Sequence, residues 1–96
     1  MTRAVVVRYR AREDAADENE RLIRAVFDEL ASRQPPGLRY SAFRVDGNSF
    51  VHVAVIEGDD NPLDTLPAFQ AFVAGVGARC EEGPSPAGGW VVGSYP

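Results

Sequence analysis

The order of extended and helical segments constrains this chain more than any other feature. Residues 4–10 are short and β-branched, which predicts a strand, and residues 14–34 are rich in helix formers with an apolar stripe at helical spacing. Residues 38–45 and 50–57 look extended on either side of a turn sequence, 46–49. A second helical pattern runs from Pro62 to Glu82, residues 83–89 read as a loop, and residues 90–95 read as a last strand.

This order, strand–helix–strand–strand–helix–strand, predicts one architecture. Two strand–helix–strand units with right-handed crossovers, joined by a hairpin, give a four-stranded antiparallel sheet with both helices on one face. The predicted fold class is therefore α+β, with a ferredoxin-like βαββαβ arrangement. A chain of 96 residues has room for one hydrophobic core, so we expect a single domain over residues 1–96.

Both faces of the predicted sheet are apolar at the centre. In the third strand, Val51, Val53 and Val55 alternate with Phe50, His52, Ala54 and Ile56. Two helices cover only one face, and a sheet with a solvated face should alternate apolar with polar residues. We therefore expect a homodimer in which two sheets pack face to face. The alternative is a sheet with a few exposed valines and a ligand groove.

Charge and cysteine content exclude several classes of function. Ten basic against fourteen acidic residues give a net charge of −4, which argues against non-specific nucleic-acid binding. The single Cys80 forms no internal disulfide, and one histidine without a cysteine cluster builds no structural metal site, so we expect no metal. The sequence has no phosphate-binding or dinucleotide-binding loop, so we expect no cofactor, with haem ligation by His52 alone as the open alternative. No secretory signal and no apolar run of about 20 residues is visible, so we expect no membrane partner and a cytoplasmic location.

The chain resembles the dimeric α+β barrel proteins, in particular the small antibiotic-biosynthesis-monooxygenase-like group. The resemblance spans nearly the whole chain and rests on element order and four short motifs. These motifs are Gly37-Leu38-Arg39-Tyr40, Phe50-Val51-His52-Val53-Ala54 with Glu57, Leu66-Pro67-Ala68-Phe69-Gln70-Ala71-Phe72, and Val92-Gly93-Ser94-Tyr95.

The resemblance implies cofactor-independent oxygenases acting on aromatic substrates, or haem-degrading enzymes, with sites between the sheet and the helices or inside the barrel. Such sites tend to use Asn, Trp, Arg or His. The tryptophan often found two residues after the glutamate that ends the third strand is Asp59 here, and the histidine often found in the second helix is absent.

His52 is the candidate catalytic residue. Its reference pKa of about 6.5 suits a general base at neutral pH, and we assign it to the face that forms the barrel interior. The alternative is a histidine whose hydrogen bonds are satisfied by a neighbouring backbone group or tyrosine. The candidate substrate-binding residues, expected to line one pocket with His52, are Arg8, Tyr40, Arg44, Phe50 and Trp90.

Such a pocket would suit a planar, weakly acidic aromatic ligand whose phenolate is held by arginine. Alternatively, both arginines lie in solvent at strand ends and pair with Asp46 or Glu57. Three functions therefore remain open. They are a cofactor-independent monooxygenase for a small aromatic substrate, a non-catalytic small-molecule-binding dimer, and a structural or assembly protein with a solid interior.

Overall fold

The computed structural model describes residues 2–96, so Met1 of the predicted domain lies outside the described residues. Four strands and two helices follow in the predicted order, and a short 3-10 helix precedes each α-helix, at Glu13–Ala15 and at Pro62–Thr65. The main elements are β1 (Thr2–Ala11), α1 (Ala16–Arg33), β2 (Leu38–Val45), β3 (Ser49–Glu57), α2 (Pro67–Arg79) and β4 (Cys80–Gly89).

The four strands form one antiparallel sheet in the order β2-β3-β1-β4. The βαββαβ chain order and the sheet confirm the predicted ferredoxin-like fold. Local chemistry explains the hairpin between β2 and β3, because Asp46 and Gly47 both adopt positive φ angles, of 53° and 86°. Aspartate and glycine are among the residues that tolerate this left-handed backbone.

The end of the chain differs from the predicted end. The helix predicted to continue to Glu82 ends at Arg79, and the segment predicted as a loop is strand β4. Cys80 lies opposite Ala11 and Gly89 lies opposite Ala4, so β4 completes the sheet beside β1. The predicted last strand, residues 90–95, is not a strand. Pairing with β1 outweighs the poor strand propensity of a glycine- and proline-rich segment.

Proline is compatible with β4 because this strand lies at the edge of the sheet. Pro86 lies opposite Val7 of β1. A proline has no N–H to donate, so in a sheet it is confined to edge strands, where its nitrogen faces away from the neighbouring strand.

The two faces of the sheet have different surroundings. On one face, Tyr9, Phe50, Ala54 and Ile56 are buried, and they form the core with residues of both helices. The opposite face, which we call the open face, has an apolar centre of half-buried residues, including Val6, Val51, Val53 and Val55. Phe43 belongs to the open face by its pairing with Val51, and its exposed fraction is 53%. The predicted apolar character of both faces is therefore confirmed.

Neither of the helices in residues 2–96 combines the length and the apolar composition needed to cross a membrane. Within the same range, no three histidine, cysteine or acidic side chains are grouped so that they could hold a metal ion.

Candidate functional site

A cavity of about 220 Å³ lies between the sheet and helix α2. Its walls are almost entirely apolar, and polar atoms come from a few side chains, chiefly Tyr9, Tyr40 and His52. Apolar walls with a few placed polar groups are typical of small-molecule sites. The remaining lining residues are Val5, Val7, Ala54, Asn61, Leu63, Phe69, Phe72, Val73, Val76 and Pro84.

His52 lies in the middle of β3, and its exposed fraction is only 5%. Both ring nitrogens are engaged by tyrosine hydroxyls. The distance from Nε2 to the Tyr9 oxygen is 2.8 Å, and the distance from Nδ1 to the Tyr40 oxygen is 2.5 Å. The register of the sheet explains this arrangement, because His52 lies opposite Val7 of β1 and opposite Ala42 of β2. Tyr9 is two residues from Val7, and Tyr40 is two residues from Ala42. Both tyrosines therefore lie on the same face of the sheet as His52.

The three side chains are uncharged at neutral pH, and burial extends the pH range over which they stay so. Burial lowers the pKa of His52 to about 4, because the imidazolium form would lose its hydration. Burial also raises the pKa of Tyr9 to about 12, against the opposing effect of a hydrogen bond from Asn19. The pKa of Tyr40 is likewise raised by burial, and in lesser part by Tyr9. The site therefore holds a neutral imidazole between two neutral phenols.

The hydrogen-bond chain continues beyond Tyr9 to helices α1 and α2. The fully buried Asn19 of α1 places Nδ2 at 2.8 Å from the Tyr9 hydroxyl. Its Oδ1 accepts a 3.0 Å hydrogen bond from Nε of Arg79, the last residue of α2. Arg79 also donates to the carbonyl of Phe72 at 2.9 Å, and its guanidinium lies 5.2 Å from the centre of the Phe72 ring.

Aromatic rings hold the two tyrosines in place. The ring of Tyr9 stacks on Phe50 with a centroid distance of 5.4 Å, and the ring of Tyr40 stacks on Phe27 at 4.9 Å. Phe72 lies against His52 at 5.4 Å. Such ring pairs contribute about 0.5–1.5 kcal/mol each beyond the area that they bury. The hydroxyls are therefore presented to His52 by packed rings.

Of the predicted site residues, the structure brings His52 and Tyr40 together at the cavity. Phe50 is 2% exposed and lies beneath Tyr9, as part of the core. Arg44 lies outside the cavity, where it lines a second hollow of about 210 Å³ between α1 and β2. There its Nη1 contacts carboxylates of Asp17 and Glu20 at 3.0 Å each. The alternative of a paired arginine is thus observed, although with partners other than Asp46 and Glu57.

Phe50 and Arg44 thus do not line the cavity with His52, and three further placements expected from the sequence are wrong. His52 lies on the face covered by the helices and not on the face assigned to a barrel interior. Arg8 lies opposite Val51, so its side chain is on the open face and is exposed. Trp90 follows β4 instead of belonging to a strand, and its exposed fraction is 78%. His52 was misplaced because alternation separates two faces without indicating which one the helices cover. Arg8 was misplaced because alternation within a strand does not give the register between β1 and β3.

Sequence reasoning did not single out Tyr9, Asn19 or Arg79. A signal for Asn19 was present, because it lies four residues before Ile23 and therefore on the apolar stripe of α1. A polar residue on such a stripe must find hydrogen-bond partners inside the protein. Tyr9 and Arg79 carried no comparable signal, since their positions depend on how distant strands and helices pack.

No protein-family model matches the chain, and no curated protein matches it. Solved structures do match it. One is Rv0793 from Mycobacterium tuberculosis, which is 19% identical with a TM-score of 0.77 over 100% of both chains. Another is a variant of SnoaB, a cofactor-independent oxygenase from Streptomyces nogalater. It is 22% identical with a TM-score of 0.71 over 99% of this chain and 97% of SnoaB.

A third structure, described as an antibiotic biosynthesis monooxygenase, is 21% identical with a TM-score of 0.66 over 97% of this chain and 100% of its own. The predicted resemblance to antibiotic-biosynthesis-monooxygenase-like proteins is confirmed at the level of the fold. At these identities the likeness concerns the fold alone, and chemistry has to be argued from the cavity.

Proposed function

We propose that this protein binds a one-ring aromatic compound in the cavity beside His52 and oxygenates it with O2, without a cofactor. The size of the cavity supports the ligand class. A dry cavity of about 150 Å³ holds benzene, and sites for drug-sized ligands span about 300–1,000 Å³. At about 220 Å³, this cavity suits one ring with small substituents. A cavity of this size also argues against a purely structural protein with a solid interior.

The observation that carries the proposal is a neutral imidazole in an apolar cavity. Because burial lowers the pKa of His52 to about 4, the ring is neutral at neutral pH and can accept a proton. The same shift makes it a weak base, so proton transfer from a hydroquinone requires that hydrogen bonds in the cavity stabilise the resulting phenolate. Deprotonating a hydroquinone makes it electron-rich enough to react with O2. Hydroquinone and O2 give hydroxyquinone and water, so that O2 supplies both the inserted oxygen atom and the oxidant. SnoaB, whose fold the chain shares, is likewise a cofactor-independent oxygenase.

Oxygen uptake tests the catalytic proposal. Purified protein is mixed with a hydroquinone in air, and the rate is corrected for the uncatalysed reaction. We expect His52→Ala to reduce the corrected rate by about 100-fold or more, the usual contribution of a general base. Arg21→Ala, on the exposed surface of α1, is the matched control and should keep the full rate. Absence of uptake, or equal rates in His52→Ala and the parent protein, would reject the oxygenase.

Non-catalytic binding is the second candidate function, and a specific observation favours it. Both nitrogens of His52 already have tyrosine partners, so a substrate hydroxyl must displace one of them before the imidazole can take its proton. A binding protein needs no such displacement. Saturable binding of one-ring aromatics together with no oxygen uptake would decide for this candidate.

We also propose that the protein forms a homodimer through the open face. The exposed Phe43 lies on this face, and Val91 of the terminal segment lies beside Val53 and Val55. Other exposed apolar side chains follow β4, with Val92 exposed to 94%. Contiguous exposed apolar surface of this kind marks interfaces in small proteins, and a second copy of the same face is the simplest partner.

A further inference from the structure

We infer that the hydrogen-bond chain from Arg79 to Tyr40 runs in one direction only, so that the Tyr40 hydroxyl offers its proton to the cavity. The cavity then selects aromatic ligands that carry an acceptor oxygen, such as a ketone or a phenolate. This inference rests on the proposed binding of a one-ring aromatic compound. It assigns the contact with the acceptor oxygen to Tyr40, whose hydroxyl is oriented by His52, Tyr9 and Asn19.

Arg79 fixes the first link. A guanidinium has only donors, so the Asn19 atom 3.0 Å from its Nε is the carbonyl oxygen of the side-chain amide. The other end of the amide is consequently the NH2 group, and this group lies 2.8 Å from the Tyr9 hydroxyl. Asn19 therefore donates to the oxygen of Tyr9. The amide orientation follows from chemistry, because the opposite orientation would place two donors against each other.

Tyr9 fixes the second link. Its oxygen has two partners, Asn19 and His52, and the Asn19 partner is a donor. The one acceptor left for the Tyr9 proton is Nε2 of His52, at 2.8 Å. A neutral imidazole has one donor and one acceptor nitrogen. Because Nε2 accepts, the ring proton is on Nδ1.

Tyr40 is the last link. The Nδ1–H of His52 donates to the Tyr40 oxygen across 2.5 Å, which leaves the Tyr40 proton unused in this contact. Within residues 2–96, that hydroxyl has no second side-chain or backbone partner. Tyr40 is half-buried and lines the cavity, so a ligand there can supply the acceptor. A deprotonated hydroquinone offers such an oxygen, and a donor aimed at it stabilises the negative charge.

Two matched probes test the direction of these hydrogen bonds. Acetophenone has an acceptor oxygen on one aromatic ring, and ethylbenzene has nearly the same shape without it. We expect acetophenone to bind several-fold more tightly than ethylbenzene to the parent protein, and Tyr40→Phe to reduce the affinity for acetophenone by about fivefold to tenfold, as for one hydrogen bond. Affinity for ethylbenzene should be unchanged. Tyr95→Phe removes the same hydroxyl from a fully exposed tyrosine and should leave both affinities unchanged.

The ¹⁵N NMR spectrum of His52, the only histidine, provides an independent readout. We expect the ring proton of His52 on Nδ1. A ring proton on Nε2 would overturn the inference, whichever probe binds. Equal affinity for the two probes, or an acetophenone preference that survives in Tyr40→Phe, would overturn it as well. If neither probe binds while His52 is the Nδ1–H tautomer, the proposed ligand class is rejected and the direction of the hydrogen bonds stands. Selective binding without oxygen uptake would keep the inference and reject only the oxygenase.

Discussion

Asn19 and Arg79 join the start of α1 to the end of α2 through a 3.0 Å hydrogen bond, and this bond sets the orientation of a buried amide. A direct way to change that orientation is Asn19→Asp, which keeps the shape of the side chain and removes its NH2 donors. The Tyr9 proton would then turn to the carboxylate, and His52 would have to donate from Nε2. We expect the ¹⁵N spectrum of His52 to change tautomer and the preference for acetophenone over ethylbenzene to disappear.

The control for this experiment is Asn19→Gln, which retains both an oxygen and an NH2 group. If the tautomer is the same in Asn19→Asp as in the parent protein, Asn19 does not set the direction of the hydrogen bonds.

The buried imidazole should make the fold sensitive to acid. The folded pKa of His52 is lowered to about 4, below the unfolded value of about 6.5, so the unfolded chain binds more protons between these values. The contribution of His52 is therefore fully present above about pH 6.5 and is lost as the pH falls towards 4. We expect a loss of about 2 kcal/mol in the free energy of unfolding between about pH 7 and pH 5.

Urea unfolding at these two pH values measures the effect, and His52→Gln is the comparison because it removes the titrating group. Between pH 7 and pH 5, the free energy of unfolding of the parent protein should fall by about 2 kcal/mol more than that of His52→Gln. Equal losses would show that His52 titrates normally in the folded state.

Tyr9 and Tyr40, which bond to His52, should lose their protons at a higher pH than an ordinary tyrosine does. Burial raises the pKa of Tyr9 to about 12 and raises that of Tyr40 as well, above an unfolded value of about 10. Their contribution to stability is thus present below pH 10 and is lost as the pH rises through the folded values. In Tyr95→Phe, where these are the only tyrosines, phenolate absorbance should therefore develop above about pH 11 or together with unfolding. Phenolate absorbance appearing near pH 10 in a folded protein would contradict the burial of these hydroxyls.

A charge at the centre of the open face should dissociate the proposed dimer. Val53 lies there, on the opposite side of the sheet from the cavity, so Val53→Asp would bury a carboxylate without a partner in a face-to-face dimer. We expect sedimentation velocity to report a dimer for the parent protein and a monomer for this variant. Ala25→Asp, on the exposed side of α1, introduces the same charge and should remain dimeric. A parent protein that sediments as a monomer at micromolar concentration would reject the dimer.

Arg44 should contribute to packing and not to ligand binding. It bridges β2 to α1 through Asp17 and Glu20, and its hydrogen bond lowers the pKa of the Glu20 carboxyl. Ion pairs this exposed contribute about 0–1 kcal/mol. We expect Arg44→Met to lower the free energy of unfolding by no more than that and to leave acetophenone affinity unchanged, as measured by urea unfolding and by calorimetry. A large loss of acetophenone affinity in Arg44→Met would contradict this prediction and show that Arg44 takes part in ligand binding.

The parts of the fold that could be predicted from sequence are those encoded locally. Residues 38–45 and 50–57 alternate on either side of an aspartate–glycine turn, and the structure places strands at Leu38–Val45 and Ser49–Glu57. The strand β4 could not be predicted in this way. Its sequence, with Gly83, Pro84 and Pro86, has the composition of a loop, and it is extended because it pairs with β1 from Ala4 to Ala11.

The site was predictable in part for the same reason. Tyr40 and His52 lie on neighbouring strands joined by a short hairpin, so their proximity follows from local register. The series of hydrogen bonds from His52 through Tyr9 to Asn19 and Arg79 joins β3, β1, α1 and α2. No spacing along the sequence encodes a contact between four such elements, because it depends on how the helices pack on the sheet.

The prolines of β4 also limit how these molecules can associate. A sheet grows sideways when an exposed edge offers alternating N–H and C=O groups to another strand. Pro84 and Pro86 of this edge strand each lack the N–H. On this side of the molecule, a further strand would find an incomplete set of partners. The prolines therefore disfavour extension of the sheet past β4, so that association through the open face does not compete with edge-to-edge pairing on this side.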